Sequence, residues 1–261
     1  MSMSSSKVAL VTGSGTGVGA ATCILLVQRG WNVVVNYSRS EKEARETVEE
    51  CAALGGDALL CRADVSDDAD CRRMVSRTIE KWGRLDALVN NAGTTRFCDY
   101  SDLDGLTDQD FVDLYKVNVI GAYQMTRAAA PHLKLSDDGA IVNTSSIAAL
   151  TGLGSSIAYA ASKGALNTLT LSLAQALGPE IRVNAVCPGF IQGRWTKNFL
   201  GENYEAVNKQ FEEGSALKKT AVPEDVAKSI VHLVCDAQLV TGEITIIDGG
   251  STLGQVTMTR R

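Results

Sequence analysis

The sequence contains only two histidines, and its seven cysteines form no C-x-x-C pair. His132 and His232 are far apart and lie near no paired cysteines, so the clustered nitrogen and sulfur ligands of a zinc site are missing. An odd number of widely spaced cysteines in a chain of this length is not a disulfide framework. The cysteines, which we interpret as free buried thiols, are Cys23, Cys51, Cys61, Cys71, Cys98, Cys187 and Cys235. The sequence therefore predicts no metal centre.

The chain also lacks an excess of basic residues and lacks long apolar runs. Its 25 lysines and arginines are scattered and are outnumbered by 30 acidic residues, which gives a net charge of -5. Such a chain offers no positive surface to a phosphate backbone, so we expect no nucleic-acid partner. No apolar stretch approaches the roughly 20 residues of a spanning helix, and Met1 to Ser6 lacks the charged and apolar regions of a signal peptide. We expect a cytoplasmic protein without a membrane partner.

Short apolar runs alternate with amphipathic stretches along the whole chain. The pattern predicts strands over 7–12, 32–36, 58–61, 86–90, 140–144, 182–186 and 243–247, and helices over 17–29, 41–53 and 67–81. This alternation is typical of a parallel sheet with right-handed crossovers and helices on both faces. No linker rich in Gly, Ser or Pro divides the series. We therefore predict one α/β domain over residues 1–261, a Rossmann-type doubly wound parallel sheet of about seven strands.

The segment 190–220 is less regular than the rest and carries Trp195, Phe199, Tyr204 and Phe211. We interpret it as a flap over a pocket, with ordinary surface structure as the alternative.

A glycine-rich turn joins the first predicted strand to the first predicted helix. Glycine permits a positive φ and lets main-chain N–H groups approach a pyrophosphate, which the helix N-terminus also attracts. A triphosphate-binding loop would end in Gly-Lys-Ser/Thr, whereas here Gly19 is followed by Ala20 and Ala21. The turn therefore predicts a dinucleotide site. Its residues are Gly13, Ser14, Gly15, Thr16, Gly17, Val18 and Gly19.

The second predicted strand ends in Asn36-Tyr37-Ser38-Arg39, without a carboxylate at its tip. In NAD-binding proteins an acidic residue at this point binds the adenosine ribose hydroxyls. Here Arg39 can pair with a 2′-phosphate and Ser38 can donate a hydrogen bond to it. This ending favours NADP as the cofactor and leaves NAD possible; the alternative is that Arg39 is a solvated charge at the start of the next helix.

Tyr159 and Lys163 lie four residues apart in an Ala- and Leu-rich stretch, so they share one face of a predicted helix. An ammonium stabilises a nearby phenolate, and we expect Lys163 to lower the pKa of Tyr159 from its reference of about 10. Proton transfer near neutral pH would follow. The alternative is packing plus a solvated charge.

Two serines, Ser145 and Ser146, follow the strand predicted over 140–144 and lie at the edge of the sheet that carries the glycine turn. Successive residues of an extended chain point to opposite sides, so only one of the two hydroxyls is expected to face the pocket, where it could hold a carbonyl oxygen.

Six motifs together resemble the short-chain dehydrogenase/reductase family, in the family's order and over nearly the whole chain. They are Thr12-Gly-x-x-x-Gly17-x-Gly19, Asn90-Asn-Ala-Gly93, Asn118, Ser146, Tyr159-x-x-x-Lys163 and Pro188-Gly189. The family spacing of thirteen residues between serine and tyrosine selects Ser146 over Ser145.

The resemblance implies a role for each matching residue. Ser146 would orient and polarise the substrate oxygen, Tyr159 would be the acid/base, Lys163 would assist it and hold the nicotinamide ribose, and Asn118 would anchor a water of the proton relay. The implied cofactor contacts are Asp64 and Val65 beside the adenine, Asn91, Ala92 and Gly93 at the central strand, and Ile191 after Pro188-Gly189 at the nicotinamide amide. Many members carry threonine two positions after that isoleucine, where this chain has Gly193.

Within the family, segments 35–39 and 90–96 most resemble those of 3-oxoacyl carrier reductases. We therefore predict an NADPH-dependent ketone reductase. Sugar, polyol and steroid dehydrogenases share the scaffold and stay open, as does a dinucleotide-sensing protein without turnover, although the full catalytic set favours an enzyme.

Substrate contacts are expected on 94–97, on 150–157 and on the flap. Arg96 would meet an acidic substrate group or would be a surface charge. The family resemblance also implies a homotetramer built through the helical stretches 113–133 and 157–177, which carry many small and apolar residues.

Overall fold

The fold is known from a computed structural model, which describes residues 6–254; most of the Met1 to Ser6 segment and the side chain of Trp195 lie outside the described part. One sheet of seven parallel strands runs in the order β3-β2-β1-β4-β5-β6-β7. The strands are β1 (Val8–Val11), β2 (Asn32–Tyr37), β3 (Ala58–Arg62), β4 (Ala87–Asn90), β5 (Gly139–Thr144), β6 (Ile181–Pro188) and β7 (Ile244–Ile247). All seven predicted strands and the predicted doubly wound topology are confirmed.

Helices connect the strands, and the three predicted over 17–29, 41–53 and 67–81 are present. The α-helices are α1 (Gly17–Gln28), α2 (Glu41–Ala53), α3 (Asp68–Trp82), α4 (Asp108–Tyr115), α5 (Ala122–Leu133), α6 (Ala148–Thr151), α7 (Ile157–Leu177), α8 (Arg194–Leu200), α9 (Tyr204–Gly214) and α10 (Pro223–Cys235). The segment 190–220 is thus helical over much of its length. None of the helices within residues 6–254 combines the length and apolar character needed to span a bilayer.

The strands are apolar on both sides because helices cover both faces of the sheet. In β2, Val33 and Val35 join the cluster that packs under α1, α2 and α10, whereas Val34 joins the cluster under α3, α5 and α7. This alternation follows from the two-residue repeat of an extended chain. Leu10 and Leu88 are fully buried in the second cluster, and burial of each contributes roughly 1.5–3 kcal/mol.

A π-helical segment, Lys116–Gly121, lies between α4 and α5. The sequence pattern indicated one continuous helical stretch from Asp113 to Leu133, so this local widening was not predicted. π-helical turns within a helix are uncommon and are often found at functional sites. Asn118 lies in this one.

Parallel strands collect their carboxyl ends at one edge of the sheet, which we call the carboxyl edge. The glycine turn after β1, Ser38 after β2, Asn91 after β4 and Ser145 and Ser146 after β5 all lie there. Ligands of open parallel sheets bind at this edge, where the strand order reverses between β1 and β4.

Candidate active site

The glycine turn is shaped by contacts that only glycine permits. Gly13 has a φ of 60°, and a Cβ there would lie 2.8 Å from the Cα of Ala92. A Cβ on Gly19 would lie 2.7 Å from the Cα of Ser14. Since such distances are shorter than real Cβ contacts, the bare backbone is required for the chain to fold this way.

Two predicted cofactor residues, Ser14 and Asn36, are buried and support the turn from behind. Asn36 Oδ1 accepts the Gly13 N–H at 2.9 Å, and Ser14 Oγ accepts the Asn36 N–H at 2.8 Å. Tyr37 is also buried, within the core cluster. The side chains of these three residues therefore hold the turn and the strand rather than line the open surface.

Thr12 and Asn91 attach the turn to β4. Thr12 Oγ1 accepts the N–H groups of Asn91 and Ala92, each at 3.0 Å. Asn91 Nδ2 donates to the carbonyls of Thr12 and Gly13 at 3.0 and 3.1 Å. Thr12 was not singled out among the cofactor residues, although its hydroxyl position at the end of a buried strand was visible in the sequence.

A pocket of about 230 Å³ opens beside the ends of β2 and β3. It is lined by Ser38, Arg39, Arg62, Ala63, Asp64 and Asp70. Arg62 was missed by the sequence analysis; it lies opposite Tyr37 in the β2–β3 register, which brings it next to Arg39. Among the described residues neither arginine has a carboxylate within ion-pair distance, although the charge of Arg62 helps to lower the pKa of Glu41 and of Asp70. The pocket thus presents two guanidinium groups to solvent.

The acidic residues of this pocket are engaged locally. Asp70 pairs with Arg73 at 2.5 Å and accepts the Asp64 N–H at 2.8 Å. Asp64 Oδ1 accepts the N–H and hydroxyl of Ser66. Val65, the other predicted adenine contact, is buried against Gly121.

Tyr159 and Lys163 lie on α7, which Ser156 caps by accepting the Tyr159 N–H at 3.2 Å. The Lys163 ammonium is buried, donates to the Thr144 carbonyl at 2.8 Å and lies 5.7 Å from the centroid of the Tyr159 ring. The two side chains therefore share the helix face that the spacing predicted.

The pKa of Tyr159 differs from the expectation. Burial, partly opposed by the Ser146 hydroxyl, raises the pKa of Tyr159 to about 12. Burial also lowers the pKa of Lys163 to about 8, because an ammonium in an apolar surrounding loses hydration. The expected lowering of the tyrosine pKa by Lys163 is not found; the phenol stays protonated at neutral pH and can act as a proton donor.

The two serines after β5 face opposite ways, as alternation requires. Ser145 is buried and donates to the Lys163 carbonyl at 3.3 Å. Ser146 is partly exposed and accepts the Ala148 N–H at 3.1 Å. Its hydroxyl also lowers the pKa of the Tyr159 phenol, against the larger effect of burial. The serine next to the tyrosine is thus Ser146, the one that the family spacing selects.

Asn118 of the π-helical segment contacts the chain after β4. Its Oδ1 accepts the Thr94 N–H at 2.8 Å, and its Nδ2 donates to the Thr94 carbonyl and to Ser162 Oγ, each at 3.0 Å. A Cβ on Gly93 would lie 3.4 Å from Asn118 Oδ1 and 3.5 Å from Lys163 Nζ. Asn118, Gly93 and Lys163 therefore meet at the carboxyl edge.

The flap, residues 190–220, follows β6, which ends at Pro188. Gly189 packs against Asp248, where a Cβ would lie 2.9 Å from the aspartate Cβ, and Ile191 bridges to Ala221. Thr196 Oγ1 donates to the carbonyls of Ile191 and Gly193, each at 2.9 Å, and so is used within the flap. A cavity of about 410 Å³ is lined by Gln192, Gly193, Arg194, Lys197, Asn198 and Tyr204.

The residues present fit a dinucleotide. The N-cap Thr16 of α1 makes no side-chain cap, and the first turn holds no acidic residue, so the helix N-terminus is suited to a diphosphate. The same edge continues into the pocket with Arg39 and Arg62 on one side and to Lys163 and Tyr159 on the other. Within the described chain, no group of three His, Cys, Asp or Glu residues is placed to hold a metal ion. All seven cysteines are free, and Cys98 and Cys235 are only partly buried.

Known proteins resemble this chain over almost its entire length. The family model described as enoyl-(acyl carrier protein) reductase matches residues 13–252. The granaticin polyketide synthase ketoacyl reductase 2 of Streptomyces violaceoruber is 44% identical over 246 residues, covering 94% of this chain and 96% of the relative. The L-rhamnose 1-dehydrogenase (NAD(P)(+)) of a Sphingomonas species is 36% identical over 254 residues, covering 96% and 98%.

A solved structure agrees with the fold. The crystal structure of a short-chain dehydrogenase/reductase from Burkholderia xenovorans superposes with a TM-score of 0.90 at 41% identity, covering 97% of this chain and all of that one. The family model, these relatives and the geometry of the carboxyl edge agree, and the chain belongs to the short-chain dehydrogenase/reductase family of nicotinamide-dependent oxidoreductases.

Proposed function

We propose that this enzyme is an NADP(H)-dependent ketone reductase that transfers hydride between its cofactor and a carbonyl or alcohol substrate of the 3-oxoacyl type. The observation that carries the proposal is that Ser146 is close enough to the phenol of Tyr159 to lower its pKa, while the buried ammonium of Lys163 lies 5.7 Å from the centroid of the same ring. Two neighbouring hydroxyl groups suit an oxygen that becomes an alkoxide, because each can donate a hydrogen bond to it.

The side chains act as follows in the reductive direction. Ser146 orients the substrate oxygen, and Tyr159 transfers its proton to that oxygen as negative charge develops there. The ammonium of Lys163 stabilises the phenolate that is left, since the two groups lie on one face of α7. The chemistry that the nicotinamide cofactor supplies when bound is hydride transfer.

Asn118 is a positioning residue in this proposal. Its side-chain amide holds the backbone of Thr94 and the hydroxyl of Ser162, and so fixes the chain after β4 next to α7. A water held by Asn118 in the proton relay stays a prediction.

Cofactor binding is proposed along the carboxyl edge. The backbone of the glycine turn would hold the diphosphate, Asp64 and Val65 would border the adenine, and Asn91, Ala92 and Gly93 would support the centre. Pro188, Gly189 and Ile191 would contact the nicotinamide end, and Lys163 would hold its ribose.

The proposed preference for NADP is supported by Ser38, Arg39 and Arg62 at the pocket beside the adenine end. A 2′-phosphate gains charge-assisted hydrogen bonds from guanidinium groups that have no other ion pair among the described residues. We expect tighter binding and a higher kcat/KM for NADPH than for NADH, measured by fluorescence titration and steady-state kinetics. A preference for NADH would contradict the proposal.

A sugar or polyol dehydrogenase is the second candidate, because one relative of 36% identity is named an L-rhamnose dehydrogenase. The ketoacyl reductase relative, at 44% identity, supports the ketone instead. A panel of 3-oxoesters, cyclic ketones, unsaturated esters and sugars, followed through NADPH absorbance, separates these activities. Turnover of only the carbon–carbon double bond, or only of sugars, would refute the ketone assignment.

The variant Tyr159→Phe tests the mechanism. It removes the proton donor and keeps the ring, so we expect kcat to fall by about 10²–10⁴ with unchanged NADPH affinity. Normal turnover by this variant would exclude Tyr159 as the acid. Loss of NADPH binding would instead indicate damage to the fold.

We also propose a homotetramer. Val112, Ile120 and Tyr123 are exposed on the α4–α5 region, and Leu171 is exposed on α7, which are the helices named by the family resemblance. Exposed apolar groups of this kind are typical of subunit contacts. Light scattering should give a mass near four chains, and a monomer mass would contradict this.

A further inference from the structure

We infer that the substrate is an uncharged ketone with a flat aromatic body, and that Phe97 and Phe199 receive this body at the mouth of the site. The inference rests on the proposed ketone reductase function and assigns its substrate class. It follows from the aromatic pair that these two rings form, from its connection to Tyr159, and from the partners that Arg96, Arg194 and the hydroxyls of Thr95 and Ser155 already have.

The aromatic pair joins two separate elements. Phe97 belongs to the chain after β4, and Phe199 belongs to α8 of the flap, and the two rings stack in parallel. Phe199 keeps 45% of its surface exposed although it is a large apolar side chain. Stacked rings on two elements present an outer face on which a third flat ring can stack, with a gain beyond simple burial.

The chain that carries Phe97 is attached to the chain next to Tyr159. The Cys98 N–H donates to the Ser155 carbonyl at 3.0 Å, and the hydroxyls of Thr95 and Ser155 are hydrogen-bonded to each other. One residue before, Gly154 lies against the tyrosine, since a Cβ there would be 3.2 Å from Cδ1 of the ring. The segment that carries Phe97 is therefore joined by hydrogen bonds to the turn that packs against Tyr159.

Charged side chains near the mouth already have partners. Arg96, whose side chain is 61% exposed, forms an ion pair with Asp110 at 3.5 Å. Arg194 pairs with Glu43 of α2, and the ammonium of Lys197 lies over an aromatic ring of α9 at 5.2 Å from its centroid. A substrate carboxylate or phosphate would compete with Asp110 or Glu43 for these arginines, whereas an uncharged substrate would leave the contacts in place.

Polar side chains around the mouth are also committed. The hydroxyls of Thr95 and Ser155 bind each other, and Thr151 Oγ1 donates to the carbonyls of Ile147 and Leu153 and accepts the Leu153 N–H. Tyr100 bridges the 154–156 turn through its hydroxyl. A polyol needs hydrogen-bond partners for each hydroxyl, since buried polar groups left unpaired are costly. The hydroxyls of Thr95, Thr151 and Ser155 already have partners within the protein, so they are poorly suited to bind the hydroxyls of a polyol.

The segment from α6 to Gly154 carries exposed apolar side chains. Leu150 is 48% exposed and Leu153 is 66% exposed, and both lie on the α6 turn that leads to Gly154. These two leucines add exposed apolar surface on the segment that packs against Tyr159 through Gly154. Sites of this type hold broad apolar ligands and use few polar groups to orient them.

The first experiment compares uncharged ketones of different body. Steady-state reduction by the full-length protein with NADPH is measured for β-tetralone, ethyl acetoacetate and acetoacetate, and oxidation with NADP⁺ is measured for xylitol. We expect kcat/KM for β-tetralone to exceed that for ethyl acetoacetate by about tenfold or more, because one extra ring is buried and stacked. Acetoacetate and xylitol should be poorer still.

The second experiment removes the rings one at a time. Phe97→Ala and Phe199→Ala should each lower kcat/KM for β-tetralone by about tenfold while changing that for ethyl acetoacetate less than about threefold. Phe211→Ala is the matched control, because Phe211 also lies in the flap but stacks on Phe190. Phe199→Tyr should retain the β-tetralone activity.

A binding measurement keeps the inference testable without turnover. β-Naphthol is flat and cannot accept hydride, and calorimetry should show that it binds wild type and Phe211→Ala but binds Phe97→Ala and Phe199→Ala about tenfold more weakly. Circular dichroism and NADPH affinity report whether each variant is folded.

Three results would overturn the inference: a preference for acetoacetate or xylitol, equal activity on the two uncharged ketones, or a β-naphthol affinity unaffected at Phe97 and Phe199. If ethyl acetoacetate is reduced as well as β-tetralone, the substrate class is wrong and the ketone reductase function stands. Absence of turnover on every carbonyl, with normal β-naphthol binding, would refute the proposed function instead.

Discussion

Ser145 and Ser146 are adjacent in the chain, but their side chains point in opposite directions and contact different groups. Ser146 acts on the phenol of Tyr159, whereas Ser145 is turned toward the Lys163 carbonyl. We expect Ser146→Ala to lower kcat by about 10² or more, since an oxyanion-type donor is lost. Ser145→Ala is the control and should retain most of the kcat. A larger loss in Ser145→Ala would mean that the assignment is reversed.

Lys163 predicts a particular pH dependence of reduction. Burial lowers the pKa of its ammonium to about 8, so the charge is present below that pH and is lost above it. Without the ammonium the phenol of Tyr159 becomes a weaker acid, and kcat/KM should fall as pH rises through about 8. Lys163→Arg keeps a charge over the whole range and should remove this inflection while retaining part of the activity. The same inflection in Lys163→Arg would assign it to another group.

Residue types and spacing could be predicted from the sequence, whereas burial could not. The pairing of Tyr159 with Lys163 follows from a four-residue spacing, but the raised pKa of the phenol depends on how much solvent the surrounding fold excludes. Arg62 escaped notice for a related reason. Its proximity to Arg39 depends on the register of β3 against β2, which the sequence does not specify. The available signal was that Arg62 ends β3, the strand that pairs with the strand before Ser38-Arg39.

At the scale of elements, an ion pair connects the flap to the cofactor edge. Arg194 at the start of α8 pairs with Glu43, whose neighbour Ala44 packs against Gly15 of the glycine turn. An exposed pair contributes little, so we expect its loss to make the flap open only about two- to fivefold more often. We therefore expect Glu43→Gln to accelerate tryptic cleavage after Lys197 by that factor.

The control for this experiment is Glu49→Gln, which removes an exposed carboxylate from the same helix α2. Cleavage after Lys197 should be unchanged in this variant. Equal acceleration in both variants would show that net charge, rather than the Arg194–Glu43 contact, governs access to the flap.

Elements with a strong repeat were predictable and local departures from it were not. The strands are apolar throughout because both faces are covered, and the alternation with helices determined the topology. The π-helical segment at Lys116–Gly121 leaves no signature in the apolar pattern, because α4 and α5 continue the same helical direction on either side. The apolar pattern of the flap is irregular because α8 has only seven residues and a tight turn at Gly201–Asn203 separates it from α9.

At the scale of the whole molecule, the two edges of the sheet carry different kinds of polar groups. The carboxyl edge holds glycine backbone, hydroxyls and a buried ammonium, which are arranged for ligands. The opposite edge holds satisfied ion pairs. There Asp86 is buried and accepts the Val8 N–H at 2.8 Å, two bonds from Arg84 at 2.8 Å and the Ser136 hydroxyl at 2.7 Å. Asp86 thus ties β1, β4 and the turn before β5 together.

This division predicts that stability and activity can be separated by mutation at Asp86. Burial alone would raise the pKa of Asp86, but hydrogen bonds from Arg84, Ser136 and the Val8 N–H hold it below its usual range. Asp86→Asn keeps the shape and removes the charge, so unfolding should require about 2–4 kcal/mol less and Tm should fall by roughly 5–10 °C. The kcat should be unchanged, because Asp86 lies at the opposite edge from Tyr159.

Asp236→Asn is the matched control for this last prediction, because Asp236 pairs with Arg29 at 2.7 Å on the surface, where both side chains are more than 40% exposed. Its loss should lower Tm much less than the loss of the Asp86 charge does, because exposed pairs contribute little to stability. The pH dependence supplies a second check. A carboxylate with a depressed pKa stabilises the fold above its unfolded pKa and loses that effect as pH falls through the folded value, so the difference between wild type and Asp86→Asn should shrink only below about pH 4. Equal Tm values for Asp86→Asn and Asp236→Asn at neutral pH would show that the opposite edge of the sheet does not carry the stability assigned to it.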